Sequence, residues 1–341
     1  RKMGGYQVIS LSVNGLANRY AFGGEDMFQQ LTGLLFAVLF NPLKDSQGLF
    51  PANGFQQERR QLLEMLDAEF NDKVGYAHQR CEEILFHGQN AGVGRCGSRE
   101  DVETLDRATV TAAWEEVLQN AQFEIFALGD CVPDVSLFQE RFSGLGKPQN
   151  TGLLPFEKPD QVRRVVEEQP LSQSKLSMGF WVDYTPEERY QFQLMAMVLG
   201  GVPSSKLFQN VREKMSLCYY CSSGLAANSR SMFIESGVET SNLEKAEEAI
   251  YGQLSALQKG ELTEEELLSA KLAYCNSLRS INDSLPAMES AYLGQVFSGL
   301  VLPREESIAR VMSCTKEQVV EAANRLVPGA VFTLKGSGVH G

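Results

Sequence analysis

Two polar side chains lie seven residues apart in the stretch SSKLFQNVREKMSLCYY (204–220). Arg212 falls in a segment whose apolar spacing predicts a short helix, and Tyr219 falls in the strand predicted after it. A guanidinium donates a planar fork of hydrogen bonds to a carbonyl or carboxylate. A phenol donates one hydrogen bond to a carbonyl or to a developing oxyanion. The pair can therefore bind a peptide, although a surface ion pair for Arg212 and a core position for Tyr219 would fit the same spacing.

The apolar residues of this predicted helix indicate where Arg212 points. They recur at every fourth position and form one stripe: Leu207, Val211 and Met215. Arg212 is turned about 100° from that stripe, so it lies at the flank of the helix. Because side chains alternate along a strand, we expect Tyr219 to share a face with Leu217 and Cys221 and to reach the same space as Arg212.

The stretch also contains a C-x-x-C, from Cys218 to Cys221. Redox dithiols with this spacing usually lie at a helix N-terminus, which lowers a thiol pKa. Here the motif lies in a predicted strand, where residues three apart point to opposite faces. We therefore expect neither a redox nor a zinc-binding role for this pair.

The cysteine count, the net charge and the apolar segments limit the classes of protein to which this chain can belong. The seven cysteines are irregularly spaced and odd in number, which favours free thiols in a reducing cytoplasm. A net charge of −12, with Lys and Arg scattered among acidic residues, argues against nucleic-acid binding. No window approaches 18 uninterrupted apolar residues, so the sequence predicts no membrane span.

The histidines lack metal-binding spacing. The chain has three, His78, His87 and His340, and no two of them are four residues apart. It therefore contains neither H-x-x-E-H nor H-E-x-x-H, which place two imidazoles on one helical face. A catalytic zinc typically takes three protein ligands with histidine prominent, so we predict no metal site in this chain.

The predicted elements repeat in order along the 341 residues. The first unit has a strand at 6–13, helices at 25–40, 55–87 and 101–119, and a strand at 123–130. The second has a strand at 231–239, a helix at 243–259, long helices within 264–301, a helix at 316–326 and a strand at 330–338. The Gly- and Pro-rich segment between them predicts domains at 1–145 and 162–341, joined by a linker at 146–161.

The second unit carries an additional leading block, residues 162–230, which contains strands and a helix. Only five residues precede the first strand of the first unit. We therefore expect the first unit to lack its leading strands and helix. Its sheet should be incomplete, or its edge should be covered by another element.

The segment GGVPSSKLFQNVREKMSLCYYCSSG (200–224) resembles the M16 metallopeptidases, the insulinase, pitrilysin and mitochondrial processing peptidase family. That family carries G-x-S-S-R-L-F-x-x-[IV]-R-E-K-x-x-L-x-Y-x-x-x-S at this place. The resemblance covers nearly the whole chain and is closest to bacterial members that occur as pairs, one with the zinc motif and one without. Some of these are linked by name to modification of elongation factor P. It implies an α+β fold of two tandem homologous units, each an antiparallel sheet with helices on one face.

The resemblance also implies roles for the opening pair. In the family, an Arg and a Tyr at this spacing help to bind substrate, and the zinc-less member of a pair supplies them to its partner. Arg212 and Tyr219 would thus be substrate-binding residues in a subunit that is not catalytic alone. Its partner would be a zinc-bearing homologue or a second copy, and its substrate a peptide or unfolded polypeptide.

The family's zinc site uses an H-x-x-E-H and a distal glutamate. Alignment of ERRQLLEMLDAEFND (58–72) places Met65 at the glutamate position, with Glu64 one residue away. A thioether is a poor zinc ligand beside imidazole and carboxylate. Two alternatives stay open: an active zinc peptidase whose motif lies upstream of Arg1, and a non-enzymatic scaffold or peptide-binding module.

Overall fold

The computed structural model describes residues 2–3, 6–129, 132–145, 156–226 and 229–337. Internal packing divides the chain into two compact units. The first comprises Val8–Ala68 and Arg95–Gly152, and the second comprises Lys2–Gln7, Glu69–Gly94 and Leu153–Gly341. The domain boundaries predicted from the sequence follow the repeated order of elements, whereas these two units are defined by packing. The predicted boundaries therefore stay a prediction.

The α-helices are α1 (Met27–Phe40), α2 (Ala52–Ala68), α3 (Lys73–Leu85), α4 (Arg99–Thr104), α5 (Arg107–Asn120), α6 (Val135–Phe142), α7 (Arg189–Ala196), α8 (Leu243–Gln258), α9 (Glu264–Ser280), α10 (Leu285–Ser298), α11 (Arg304–Ser313) and α12 (Lys316–Asn324). Two π-helices, Met197–Gly201 and Leu207–Lys214, follow α7. The strands are β1 (Lys2–Met3), β2 (Tyr6–Gln7), β3 (Arg163–Gln169), β4 (Ser174–Trp181), β5 (Cys218–Ala226), β6 (Ser231–Val238) and β7 (Val327–Gly336). In the part of the chain that the structure describes, none of the helices is both long enough and apolar enough to cross a membrane.

The regular secondary structure described in the first unit is all helical, and irregular segments connect the helices. Its apolar faces meet in a group of edge-to-face and tilted aromatic rings, Phe28, Phe36, Phe40, Phe123, Phe138 and Phe142. The two strands predicted for this part of the chain are wrong. Only Tyr6–Gln7 of the segment 6–13 is a strand, and the described part of 123–130 has no regular structure. An apolar alternating run forms a strand only where a neighbouring strand completes its hydrogen bonds.

The single long helix predicted at 55–87 is also wrong, because two helices occupy this stretch. The first, α2, ends at Ala68, and a 3₁₀ turn covers Glu69–Asn71. The side chain of Asp72 then accepts hydrogen bonds from the backbone N–H groups of Val74 and Gly75, at 3.1 and 3.0 Å. An aspartate that caps a new helix favours an extended backbone at its own position, so it interrupts the helical pattern.

The second unit is built on one five-stranded sheet with the order β3-β7-β4-β6-β5. The β3–β7 pair is parallel, and the other neighbouring pairs are antiparallel. The α+β class is therefore confirmed. The order leaves β5, which contains the C-x-x-C and Tyr219, as an edge strand that pairs only with β6.

Each face of this sheet has its own core. Apolar residues of α7, α8, α9, α11 and α12 pack on one face with alternate residues of β4, among them Met178 and Phe180. On the other face α3 packs through Ala77, Cys81 and Leu85. Gly179 permits this close approach, because a Cβ there would lie 3.3 Å from both the Cys81 Sγ and Leu85.

Helix starts in the second unit follow the local sequence. A threonine followed three residues later by Glu or Gln is the sequence pattern of a capping box, and three such boxes form: Thr185 with Glu188, Thr263 with Glu266, and Thr315 with Gln318. In each, the later side chain accepts from the backbone N–H of the threonine, and the hydroxyls of Thr263 and Thr315 accept from the N–H three residues on. These helices therefore begin where the sequence predicts.

Candidate functional site

The candidate site begins in the π-helix Leu207–Lys214, whose turns are wider than those of an α-helix. The N–H of Met215 bonds to the carbonyl of Asn210, five residues earlier, at 2.9 Å. Leu207 and Val211 are fully buried, as the apolar stripe predicts, whereas Met215 is 50% exposed. The prediction for Met215 is wrong because a spacing of four residues no longer follows one face once the turn widens.

Arg212 lies at the flank of this π-helix, beside a cavity of about 240 Å³. Its guanidinium carbon lies 4.5 Å from the centroid of the Phe208 ring. Its Nη1 lies 3.5 Å from the carboxylate of Glu213. Stacking on an aromatic face restricts the guanidinium while leaving its N–H groups able to donate. The guanidinium of Arg212 is thus restricted by Phe208, and it remains partly exposed as a hydrogen-bond donor on the cavity wall.

The cavity lies between the end of the π-helix Met197–Gly201, the π-helix Leu207–Lys214 and strand β5. Its lining residues are Gly200, Gly201, Val202, Pro203, Phe208, Arg212, Tyr220, Cys221 and Ser222. Three consecutive residues of β5 contribute, which places the cavity along the edge of this strand. The wall is therefore mostly apolar with one cation, an arrangement that suits an extended chain with a carbonyl or carboxylate.

Tyr219 occupies a β-bulge. Cys218 lies opposite Val238 and Tyr220 lies opposite Gly237, so Tyr219 has no residue of β6 across from it. Its ring is 55% exposed, and its hydroxyl donates to the Glu239 carboxylate at 2.9 Å. That hydrogen bond raises the pKa of the Tyr219 hydroxyl. Tyr219 therefore lies at the exposed start of β5.

The structure brings only part of the predicted pair to the cavity. Among the described residues, Tyr220 rather than Tyr219 lines the wall with Arg212. The expected face shared by Tyr219 and Cys221 is not present, because Cys221 is buried and Tyr219 is exposed. The bulge adds one residue and thereby reverses the alternation on its N-terminal side. The substrate-binding roles of Arg212 and Tyr219 stay a prediction.

The same bulge overturns the expected separation of the two thiols of the C-x-x-C. Cys221 belongs to the buried core that the sheet forms with helices α7, α8, α9, α11 and α12. Cys218 packs against that core. Strand alternation predicts opposite faces, and the additional residue in the strand places both on one face. Sequence reasoning missed this site because nothing local indicates a bulge.

A comparison with protein families identifies the chain. The model described as "Peptidase M16 inactive domain" matches residues 104–274, about half of the chain. The chain belongs to the peptidase M16 family. The resemblance seen at 200–224 is thereby confirmed.

Relatives within the M16 family cover most of the chain. It is 24% identical to "Probable inactive metalloprotease YmfF" of Bacillus subtilis, over 98% of this chain and 80% of that protein. The crystal structure of a conserved protein from Enterococcus faecalis has a TM-score of 0.84 at 25% identity, covering 96% of this chain and 78% of that one. A peptidase M16 inactive domain from Pseudomonas fluorescens has a TM-score of 0.72 at 19% identity, covering 91% and 76%. The second of these structures shares the fold.

The histidines and the glutamate candidate considered above are not arranged to hold a catalytic zinc in the described part of the chain. Met65, which the sequence alignment above sets against the family's distal glutamate, is 50% exposed, and neighbouring Glu64 lies 3.7 Å from Arg60. His78 is bonded to Glu235, and His87 lines a different cavity. Within the described ranges no three His, Cys, Asp or Glu side chains are grouped to hold a metal, and His340 lies outside those ranges. We derive no metal-dependent step for this chain.

Proposed function

We propose that this chain is the zinc-less subunit of a two-component M16 peptidase and supplies peptide-binding groups to a zinc-bearing homologue. The observation that carries the proposal is the placement of Arg212. Its guanidinium is held on Phe208 at the wall of a cavity that runs along the edge strand β5. The chain's likeness to an inactive metalloprotease and an inactive-domain model supports a binding rather than a cleaving role.

The cavity suits an extended peptide. An edge strand offers unpaired backbone N–H and C=O groups to an added strand. A peptide lying beside β5 would pass Arg212, whose guanidinium can bind a carbonyl or the terminal carboxylate. Tyr219 lies at the start of the same strand with an exposed ring. Both groups would therefore contact one peptide at successive positions, without sharing one cavity wall.

The proposal is tested by reconstitution. The full-length chain is mixed with the zinc-bearing M16 homologue of the same organism, and cleavage of a quenched fluorescent peptide is measured. We expect little cleavage by either protein alone and strong cleavage by the mixture. The change Arg212→Ala should lower kcat/KM by about 10-fold or more, because hydrogen bonds to charged groups contribute about 1.5–3 kcal/mol. Tyr219→Phe should lower it by several-fold.

The control is Arg304→Ala. Arg304 has the same side-chain exposure as Arg212, 39%, and it also pairs with the next residue in the chain, Glu305. It lies at the start of α11, so its loss should leave cleavage unchanged. Full cleavage by the Arg212→Ala/Tyr219→Phe double variant would contradict the proposal. Cleavage by this chain alone would favour an active zinc enzyme, and a stable but inactive complex would favour a scaffold.

A further inference from the structure

The two thiols of the C-x-x-C lie on one face of the sheet, at the start of β5. The bulge places Cys218 opposite Val238 and Cys221 opposite Ser236, two register positions apart on one face of the sheet. Ser236 lies opposite Cys221 in the β5–β6 register and is fully buried. Three polar side chains therefore meet on one face of the sheet, and both cysteines are free thiols.

The two thiols differ in access. Cys221 is only 3% exposed, whereas Cys218 is half-buried. Cys221 also lines the cavity on whose wall Arg212 lies. A reagent from solvent would therefore meet Cys218 first, with Cys221 behind it. An exposed attacking thiol and a sheltered second thiol form the arrangement in which a mixed disulfide is resolved within the protein.

We propose that Cys218 and Cys221 form a reversible dithiol–disulfide site whose substrate is a low-molecular-weight disulfide. The Cys218 thiolate attacks one sulfur of that disulfide, a protein–small-molecule S–S bond forms, and the first small thiol leaves. Cys221 then gives up its proton and attacks the Cys218 sulfur, and the second small thiol leaves. The protein loses two electrons and two protons, and the small disulfide becomes two thiols.

The electrostatics of the pair favour this order. The hydrogen bond from Cys221, with a smaller contribution from the positive charge of Arg212, lowers the pKa of Cys218 to about 7. The same hydrogen bond, together with burial, raises the pKa of Cys221. An attacking thiol is most effective when its pKa lies near the ambient pH. Cys218 thus satisfies this condition at neutral pH.

The position of the pair in the sheet allows the bond to close. A disulfide usually requires Cα atoms within about 7 Å, and we expect its formation to contract the start of β5. This strand pairs on one side only, and its first residues are already bulged. Contraction would move Tyr219, which lies between the two cysteines, and the β5 wall of the cavity. The redox state would therefore change the shape of the site that the proposed function uses.

The covalent state can be measured directly. Trypsin cleavage after Lys214 and Arg230 yields the peptide 215–230, which contains Cys218 and Cys221 and no other cysteine. The full chain is equilibrated with mixtures of reduced and oxidised glutathione, alkylated, digested and analysed by mass spectrometry. We expect an internal disulfide in this peptide, reversed by dithiothreitol. No oxidation, or glutathione on Cys218 that persists in the wild-type chain, would overturn the proposal.

Single variants separate the two roles. Cys221→Ser should trap the mixed disulfide on Cys218, because the resolving thiol is gone. Cys218→Ser should leave Cys221 unmodified, because it is buried. Cys96→Ser, which removes a half-buried thiol of the first unit, should leave oxidation of the peptide unchanged. Glutathione on Cys221 in the Cys218→Ser chain would contradict the assigned order. None of these measurements needs peptidase activity, so they are independent of the proposed function.

Discussion

The imidazole Nδ1 of His78 lies 2.9 Å from a carboxylate oxygen of Glu235, and this contact joins helix α3 to strand β6. The same carboxylate oxygen accepts from the Ser177 hydroxyl of β4 at 2.8 Å. The His78 ring also lies 4.5 Å from that of Phe233. The carboxylate is thus held by groups from α3 and from β4, on the α3 face of the sheet.

The His78–Glu235 contact predicts a pH-dependent stability. The hydrogen bond to Glu235 raises the pKa of His78, and burial raises the pKa of Glu235. A raised histidine pKa gives stability that is complete below the unfolded value of about 6.5 and is lost as pH rises through the folded value. We expect His78→Gln to cost about 1 kcal/mol at pH 6, discounted for partial exposure. The cost should be smaller at pH 8.5.

This prediction is checked by urea unfolding at the two pH values. The control is His87→Gln, which changes an exposed histidine of the same unit. Its effect should be small and equal at both pH values. A cost for His78→Gln that grows towards pH 8.5 would contradict the assigned ion pair.

The close packing around Gly179 predicts that a larger residue at this position destabilises the fold. A Cβ there would lie 3.2 Å from the Phe233 ring and 3.3 Å from both Cys81 and Leu85. Gly179→Ala should therefore lower the free energy of unfolding by about 1–3 kcal/mol, as other overpacked cores do. The matched change is Gly252→Ala on α8, where a Cβ meets nothing within 4 Å. It should raise stability by up to about 1 kcal/mol because alanine favours a helix. Urea unfolding that shows equal effects would refute the close packing of α3.

Two tyrosine changes separate folding from function. Tyr190 is 2% exposed, and its hydroxyl lies 2.9 Å from that of Ser307. Tyr190→Phe leaves a buried hydroxyl without its partner and should cost about 1–3 kcal/mol. Tyr219→Phe removes an exposed hydrogen bond to Glu239, so its effect should stay within about 0.5 kcal/mol. Thermal unfolding tests both, and a large loss for Tyr219→Phe would undermine its use as a functional probe.

Arg212 predicts a shift in thiol reactivity. Its positive charge contributes to the lowered pKa of Cys218. Arg212→Ala should therefore move the pH midpoint of Cys218 alkylation upward, whereas Arg212→Lys should preserve most of it. The midpoint is obtained from the alkylation rate of peptide 215–230 at several pH values. Arg304→Ala should leave the pH midpoint of Cys218 alkylation unchanged. An unchanged midpoint in Arg212→Ala would show that Arg212 does not lower the pKa of Cys218.

Local features were predictable from the sequence, and several non-local ones were not. The capping boxes at Thr263 and Thr315 place helix starts correctly, because a hydroxyl and an N–H three residues apart decide them. Leu207 and Val211 are buried as their spacing predicts. The prediction of a strand at 123–130 was wrong because a strand needs a neighbouring strand, which a local sequence pattern does not reveal.

The sequence by itself determined the helix starts, the flank position of Arg212 and the motif at 200–224, whose family resemblance implied the α+β class. Each depends on residue types and on contacts within one or two turns. Only the tertiary structure decided that Tyr219 lies in a bulge and that Cys218 and Cys221 lie on the same face of the sheet. A bulge is set by the register between β5 and β6, and that register follows from the packing of both strands on the helical core. The same pairing placed Tyr220 beside Arg212 and brought together two thiols that strand alternation alone would separate.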